Sequence, residues 1–197
     1  MELKSAPMGS YQTNCYIVTI DGKDLIIDPG MDATAWVIEN TTNPIAILNT
    51  HGHFDHVWSN KELKEKLNIP IYCPKDDCFM LSDDPFSQGT PSSKADIEVE
   101  ADYEFDIDGI KVKFHHFAGH TPGCSAIEIE DSLFTGDFIF AGSIGRVDFP
   151  YSKPEDMIKS INKVLLWEKD FTIYTGHGSS TTLDNERTSL KNWLNYL

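Results

Sequence analysis

The stretch NTHGHFDHVWS, Asn49–Ser59, places four side chains that can bind a metal within six residues: His51, His53, Asp55 and His56. It follows directly on PIAILNT, a segment apolar throughout, which reads as a strand buried on both faces. On extended chain, residues two apart point the same way, so His51 and His53 reach one cation together. Gly52 leaves the backbone between them free to bend. Asp55 and His56 stand where the chain turns toward the next helix and address a second position. One zinc ion takes about four ligands, so this cluster and any downstream partners over-supply a single ion.

Those partners stand at the ends of other strand patterns. IKVKFHHFAGH closes at His120, DSLFTGD at Asp137 and DFTIYTGH at His177, each with a glycine immediately before the metal-binding residue. Four apolar segments therefore deliver ligands from strand C-termini, the edge at which open α/β sheets place their sites. The set is His51, His53, Asp55, His56, His120, Asp137 and His177, enough for two divalent ions with Asp137 shared. Asp28, at the exit of LIIDPG, resembles the ligand positions and is assigned to orienting a ligand or a water. His115 shares a strand face with Lys111 and Lys113 and reads as solvated. His116, on the face of Val112 and Phe114, reads as a core histidine.

Around these residues the chain alternates strands and helices. CYIVTIDGKDLIIDPG and YEFDIDGIKVKFHHF each form a hairpin about Asp-Gly (Asp21-Gly22, Asp108-Gly109), a pair suited to a type I′ turn. SAIEIEDSLFTGD gives a third hairpin, with Ile127 and Ile129 alternating against Glu128 and Glu130. SKPEDMIKSINKVLLW opens with Ser152 and Glu155 in capping-box spacing and carries an apolar stripe of Met157, Ile158, Ile161, Val164 and Leu165. LDNERTSLKNWLNYL is a terminal helix; SNKELKEKLN and KDDCFML are shorter ones. The polar segment Ser82–Asp96 is a solvated connector or a loop over a cleft. No linker divides the chain, so residues 1–197 read as a single domain of mixed sheets covered by helices.

Composition narrows the function. Hydrophobic residues are 40% and charged residues 24%, an ordinary globular balance. No apolar run reaches the ~18 residues of a membrane helix, and the first twenty residues lack the pattern of a secretory signal; a cytoplasmic protein is expected. A net charge of −15 with dispersed basic residues repels a phosphate backbone and argues against nucleic acid. The four cysteines, Cys15, Cys73, Cys78 and Cys124, lack zinc-ribbon spacing and read as reduced, mostly buried thiols.

THGHFDH, the AGHTPG around His120, the GD at Asp137 and the GH at His177 together resemble the metallo-β-lactamase superfamily. GDFIFAGSIGRVDFP and TGHGSSTTLDNER narrow the likeness to small hydrolases grouped with hydroxyacylglutathione hydrolase (glyoxalase II). The resemblance implies an αββα sandwich with a two-metal site on one edge. It assigns His51, His53 and His120 to one ion, Asp55, His56 and His177 to the other, and Asp137 to both. It stops short of the C-terminal helical domain that supplies basic contacts to glutathione in full-length enzymes, since one terminal helix follows His177. Asp148 and Ser179 stand where a tyrosine is expected. Arg146, in the loop after Asp137, keeps the basic character and is assigned to a substrate carboxylate.

The expected chemistry is hydrolysis of a small thioester of the S-lactoylglutathione type. Water held between two ions, most simply zinc with iron or manganese as substitutes, is hydroxide at neutral pH and attacks the carbonyl. Asp55 orients it, and Asp137 holds both ions. The thiol, with a pKa near about 8.5, leaves as thiolate without a general acid. Lactamase chemistry ranks lower, because an amide nitrogen needs protonation. Two alternatives stay open: a mononuclear-iron persulfide dioxygenase using His51, His120 and Asp137, and a metal-binding module without activity. The sequence is silent on oligomeric state.

Overall fold

The computed structural model describes all 197 residues, Met1–Leu197, as two compact units, Met1–Glu100 and Ala101–Leu197. Each unit is a six-stranded mixed sheet with helices.

In the first unit the sheet order is β1-β2-β3-β4-β5-β6, built from Glu2–Met8, Thr13–Ile20, Lys23–Ile27, Pro44–Leu48, Ile71–Pro74 and Ile97–Val99. The pairs β1/β2 and β2/β3 are antiparallel, whereas β3/β4, β4/β5 and β5/β6 are parallel. Asp21 and Gly22 both have positive φ, 51° and 73°, as the turn between β2 and β3 requires. Strand β4 lies between parallel neighbours, and its last three residues are buried, in keeping with its unbroken apolar sequence. The helices are α1 (Ala33–Asn40), α2 (Phe54–Val57), α3 (Asn60–Leu67) and α4 (Cys78–Asp83), with a single 3₁₀ turn at Lys75–Asp77. Ile26, Val37, Ile47, Val57, Leu63 and Ile71 join strands and helices in one core. Because β3, β4 and β5 run the same way, the residues following each emerge at one edge of the sheet.

The second unit orders its strands β14-β13-β10-β9-β8-β7. These are β7 (Glu104–Ile107), β8 (Ile110–His116), β9 (Ser125–Ile129), β10 (Ser132–Gly136), β13 (Thr172–Thr175) and β14 (Thr181–Thr182). A short ribbon, β11 (Ile139–Phe140) with β12 (Ser143–Ile144), follows β10. Strand β9 is antiparallel to both β8 and β10, and β10 is parallel to β13. Strands β8, β10 and β13 therefore share one direction and one exit edge. Helix α5 (Pro154–Leu165) and helix α6 (Leu183–Trp193) contribute Met157, Ile161, Val164, Leu183 and Leu190 to a core around Phe117, Phe138 and Ile173.

Three sequence readings change. Ser152 does not cap α5: its hydroxyl donates to the His120 carbonyl at 2.6 Å, and Pro154 opens the helix instead. His115, expected in solvent, is buried, because Trp167 packs on its ring at 4.6 Å and Glu128 meets Nε2 at 2.6 Å. His116, expected in the core, is half-buried with Nε2 donating to the Pro122 carbonyl. Strand alternation cannot reveal that a tryptophan from beyond α5 covers the outer face. All four cysteines are thiols; burial pushes Cys15 and Cys73 well above the ordinary range.

Burial holds the His115 pKa below its ordinary value, against the upward pull of Glu128. The folded state therefore resists a proton that the unfolded chain accepts. Its contribution to stability is complete above the unfolded value of about 6.5 and is lost as pH falls from there through the lowered folded value. Urea unfolding between pH 7.5 and 5 should show this slope, and His115→Gln should flatten it.

Candidate metal centre

In the first unit every candidate donor follows the exit of a parallel strand. Asp28 comes after β3, and His51, His53, Asp55 and His56 come after β4, the last two within the single turn of α2. His51 and His56 are fully buried; His53 and Asp55 nearly so. The ring centroids of His51 and His56 lie 4.1 Å apart, those of His51 and His53 4.9 Å apart.

Asp28 organises this group. One carboxylate oxygen, Oδ1, accepts from the Thr50 N–H at 2.8 Å. The other accepts from the Thr50 hydroxyl at 2.6 Å and meets His56 Nδ1 at 2.9 Å. A carboxylate only accepts, so His56 carries its proton on Nδ1. The Thr50 hydroxyl has one hydrogen, which goes to Asp28. Its oxygen, 3.1 Å from His51 Nδ1, can then only accept from that nitrogen. Asp28 thus fixes the tautomer of two histidines, one directly and one through Thr50, and both are left with a basic Nε2. The geometry holds Asp28 at φ 47°, a conformation seldom adopted outside glycine, asparagine and aspartate. A ligating atom of each of Asp28, His51 and His56 lies within 4.8 Å of the others.

Thr13, buried on β2, donates to Asp55 Oδ2 at 2.7 Å, and the same oxygen stands 3.5 Å from His56 Nε2. Gly30 packs so closely on the Asp55 carbonyl that a β-carbon there would overlap it. Phe86, from the Ser82–Asp96 segment, sets its ring edge-on to His53 at 5.0 Å. That segment is a folded loop: the Asp84 carboxylate accepts from the N–H groups of Gln88 and Gly89 and from the Thr90 hydroxyl.

The second unit repeats the arrangement with different parts. His120 follows β8, Asp137 follows β10 and His177 follows β13, all leaving the sheet at its shared exit edge. His120 Nδ1 donates to the Arg146 carbonyl at 2.8 Å, so this imidazole too presents a basic Nε2. That Nε2 lies 3.4 Å from Asp137 Oδ2, and His177 Nε2 lies 3.5 Å from the same oxygen. Gly145 lies against the Asp137 carbonyl and His120 Nδ1, where a side chain would collide with both.

These spacings fit a divalent ion. Nitrogen and oxygen ligands about 2.1 Å from a tetrahedral centre stand about 3.4 Å apart. The separations between donor atoms, 3.5 Å in the first unit and 3.4 and 3.5 Å in the second, match that edge and exceed ordinary hydrogen-bond lengths. Neutral imidazole with a fixed Nδ1–H is also the form in which histidine binds metal.

Arg146 contributes its backbone to His120, while its guanidinium forks onto Asp148 (Nε–Oδ1 2.9 Å, Nη2–Oδ2 2.8 Å) and lies 4.3 Å over the Phe149 ring. The pair is exposed and raises the Arg146 pKa while lowering that of Asp148. Sequence reasoning passed over Thr13, Thr50 and Gly145. Thr13 carries no motif of its own, but Thr50 heads THGHFDH and Gly145 stands in the GDFIFAGSIGRVDFP stretch that contains Asp137.

Residues 8–177 match the family described as the Metallo-beta-lactamase superfamily. The chain belongs to that superfamily. Its members are mostly metal-dependent hydrolases. Hydroxyacylglutathione hydrolase GloC of Haemophilus influenzae is 36% identical over 204 residues, covering 96% of each chain. Among solved structures, the BLEG-1 B3 metallo-beta-lactamase superposes with a TM-score of 0.86 at 30% identity, covering 95% of this chain and 97% of the other. TTHA1623, solved in a di-iron-bound form, gives a TM-score of 0.83 at 28% identity, covering 94% and 98%. Two mixed sheets with helices are the metallo-β-lactamase fold expected from the sequence. No helix is long and apolar enough to cross a membrane.

Long-range ¹⁵N–¹H spectra of metal-free protein should show His51, His56 and His120 as neutral Nδ1–H tautomers. Asp28→Ala should scramble the first two and spare His120. Three donors would lose their acceptor, so the same variant should unfold about 3 kcal/mol more easily in urea.

Proposed function

We propose that the seven donors act together as a dinuclear centre that hydrolyses small thioesters of the S-lactoylglutathione type, with both units working as one domain in the cytoplasm. His51, His53 and His120 would hold one divalent ion, Asp55, His56 and His177 the other, with Asp137 common to both. The observation that carries this reading is the set of basic Nε2 atoms, fixed by Asp28 and by the Arg146 carbonyl and spaced from the carboxylates as ligands of a common ion. Likeness to GloC across 96% of both chains supports the thioester as substrate.

Bound divalent ions, zinc or in its place iron or manganese, would lower the pKa of water toward about 7 and polarise a carbonyl. The chain's own residues supply orientation. Thr13 holds Asp55 by its Oδ2, so that its carboxylate keeps one direction toward an attacking water. Asp28 and Thr50 prevent His51 and His56 from turning their Nδ1 edges inward. Ser152 donates to the His120 carbonyl while the Arg146 carbonyl accepts from its Nδ1–H, fixing that residue from two sides. With metal help the thiol, of pKa near about 8.5, would leave as thiolate, so no proton donor is required of the protein. Arg146 serves a substrate carboxylate by exchanging its fork from Asp148, with Phe149 keeping the guanidinium in place.

Metal analysis of purified protein followed by turnover of S-lactoylglutathione on the same sample tests the proposal. About two metal equivalents and cleavage to free thiol are expected, with activity lost on chelation and restored by metal. One iron per chain, no cleavage, and oxygen uptake with glutathione persulfide would replace it with the dioxygenase reading.

A further inference from the structure

We infer that Asp77 is a positioning residue for metal ligation: it anchors the peptide between His51 and His53. The inference rests on the metal-centre reading and concerns a residue outside the seven donors.

Asp77 ends the 3₁₀ turn that follows β5, the parallel neighbour of β4. It therefore leaves the sheet at the edge that delivers Asp28 and the histidines. Its side chain is fully buried, and Oδ2 accepts from the Gly52 N–H at 2.9 Å. Contact across this peptide is close. A β-carbon on Gly52 would come within 2.7 Å of the Asp77 carbonyl oxygen, 2.9 Å of Met80 Cβ and 3.0 Å of Asp77 Cβ. Gly52 is thus glycine because the turn after β5 lies directly against it, a steric demand that flexibility alone does not explain.

The consequence for His51 follows from what lies on either side. Asp28, leaving β3, accepts from the Thr50 N–H; Asp77, leaving β5, accepts from the Gly52 N–H. The histidine between them has the N–H of the residue on either side held by a carboxylate, one leaving β3 and the other β5. His53, two residues on, takes its position from the same Gly52 peptide. Releasing Asp77 frees that peptide to rotate and separates the two imidazoles, whose centroids now stand 4.9 Å apart. Partners of this kind, one step removed from the ion, are typically worth about 10–100-fold in metal affinity.

Asp24 provides a matched control. Like Asp77 it is a buried carboxylate that accepts from the backbone, here from the N–H groups of Thr42 at 2.7 Å and Asn43 at 2.8 Å. It sits in β3, at the end opposite Asp28, and holds the Thr42–Asn43 segment, which carries none of the seven donors. Zinc affinity is read by competition with a chromogenic chelator, and folding by circular dichroism and urea. Asp77→Ala should weaken zinc binding about 10–100-fold, and Asp77→Asn, which keeps an acceptor oxygen, should recover most of that loss. Gly52→Ala should weaken it comparably, and the double variant should fall well short of the sum, because both changes release one contact. Gly52→Ala also decides the matter if Asp77→Ala does not fold. Asp24→Ala should lower stability and leave zinc affinity within about twofold of the parent. Equal zinc affinity in the parent and the folded Asp77 or Gly52 variants would overturn the inference while the metal centre stood. A parent protein that bound no zinc, iron or manganese would remove the metal centre and the inference with it.

Discussion

The arrangement depends on one buried carboxylate. Asp28 receives a backbone N–H, a hydroxyl and an imidazole Nδ1–H, and through the hydroxyl it commits a second imidazole. Burying a carboxylate is costly unless its hydrogen bonds are met. Here the bonds that offset this cost also decide which nitrogen of His51 and His56 is basic. Stability and ligand chemistry are settled by the same contacts. A left-handed backbone at Asp28 is the strain that accompanies them.

Strand direction does the rest. In the first unit three adjacent parallel strands release Asp28, the histidine-rich segment and Asp77 at one edge. In the second, three strands of common direction release His120, Asp137 and His177. Rigid sheet ends fix the Cα positions, and hydrogen bonds with Thr13, Thr50, Ser152 and the Arg146 carbonyl fix the rest. Glycines stand where one loop must touch another, as Gly145 does against Asp137 and Gly52 against Asp77. Such contacts require rigidity, which suits residues meant to meet an ion in one geometry.

Much of this was legible from residue order. The crowding of His51, His53, Asp55 and His56 after an apolar strand, and a glycine before each of His120, Asp137 and His177, reflect local chemistry that a sequence displays directly. The hairpins at Asp21-Gly22 and Asp108-Gly109 were equally plain, because only certain residues tolerate positive φ. What failed was tertiary. His115 and His116 exchanged their expected environments because Trp167, some fifty residues later, covers one face of β8. Ser152 had the spacing of a helix cap yet bonds to His120, a partner no local pattern could supply. Thr13 and Asp77 were silent for a similar reason: their roles arise from which strand lies beside which. Arg146 was read for its charge, whereas its backbone carbonyl serves His120.

X-ray absorption at the metal edge of the loaded protein bears most directly on the central claim. The account predicts a first shell of imidazole nitrogen and carboxylate or water oxygen alone, with backscattering from a second metal. Sulfur in that shell, drawn from any of the four cysteines, or a lone ion with no metal neighbour at full loading, would contradict it.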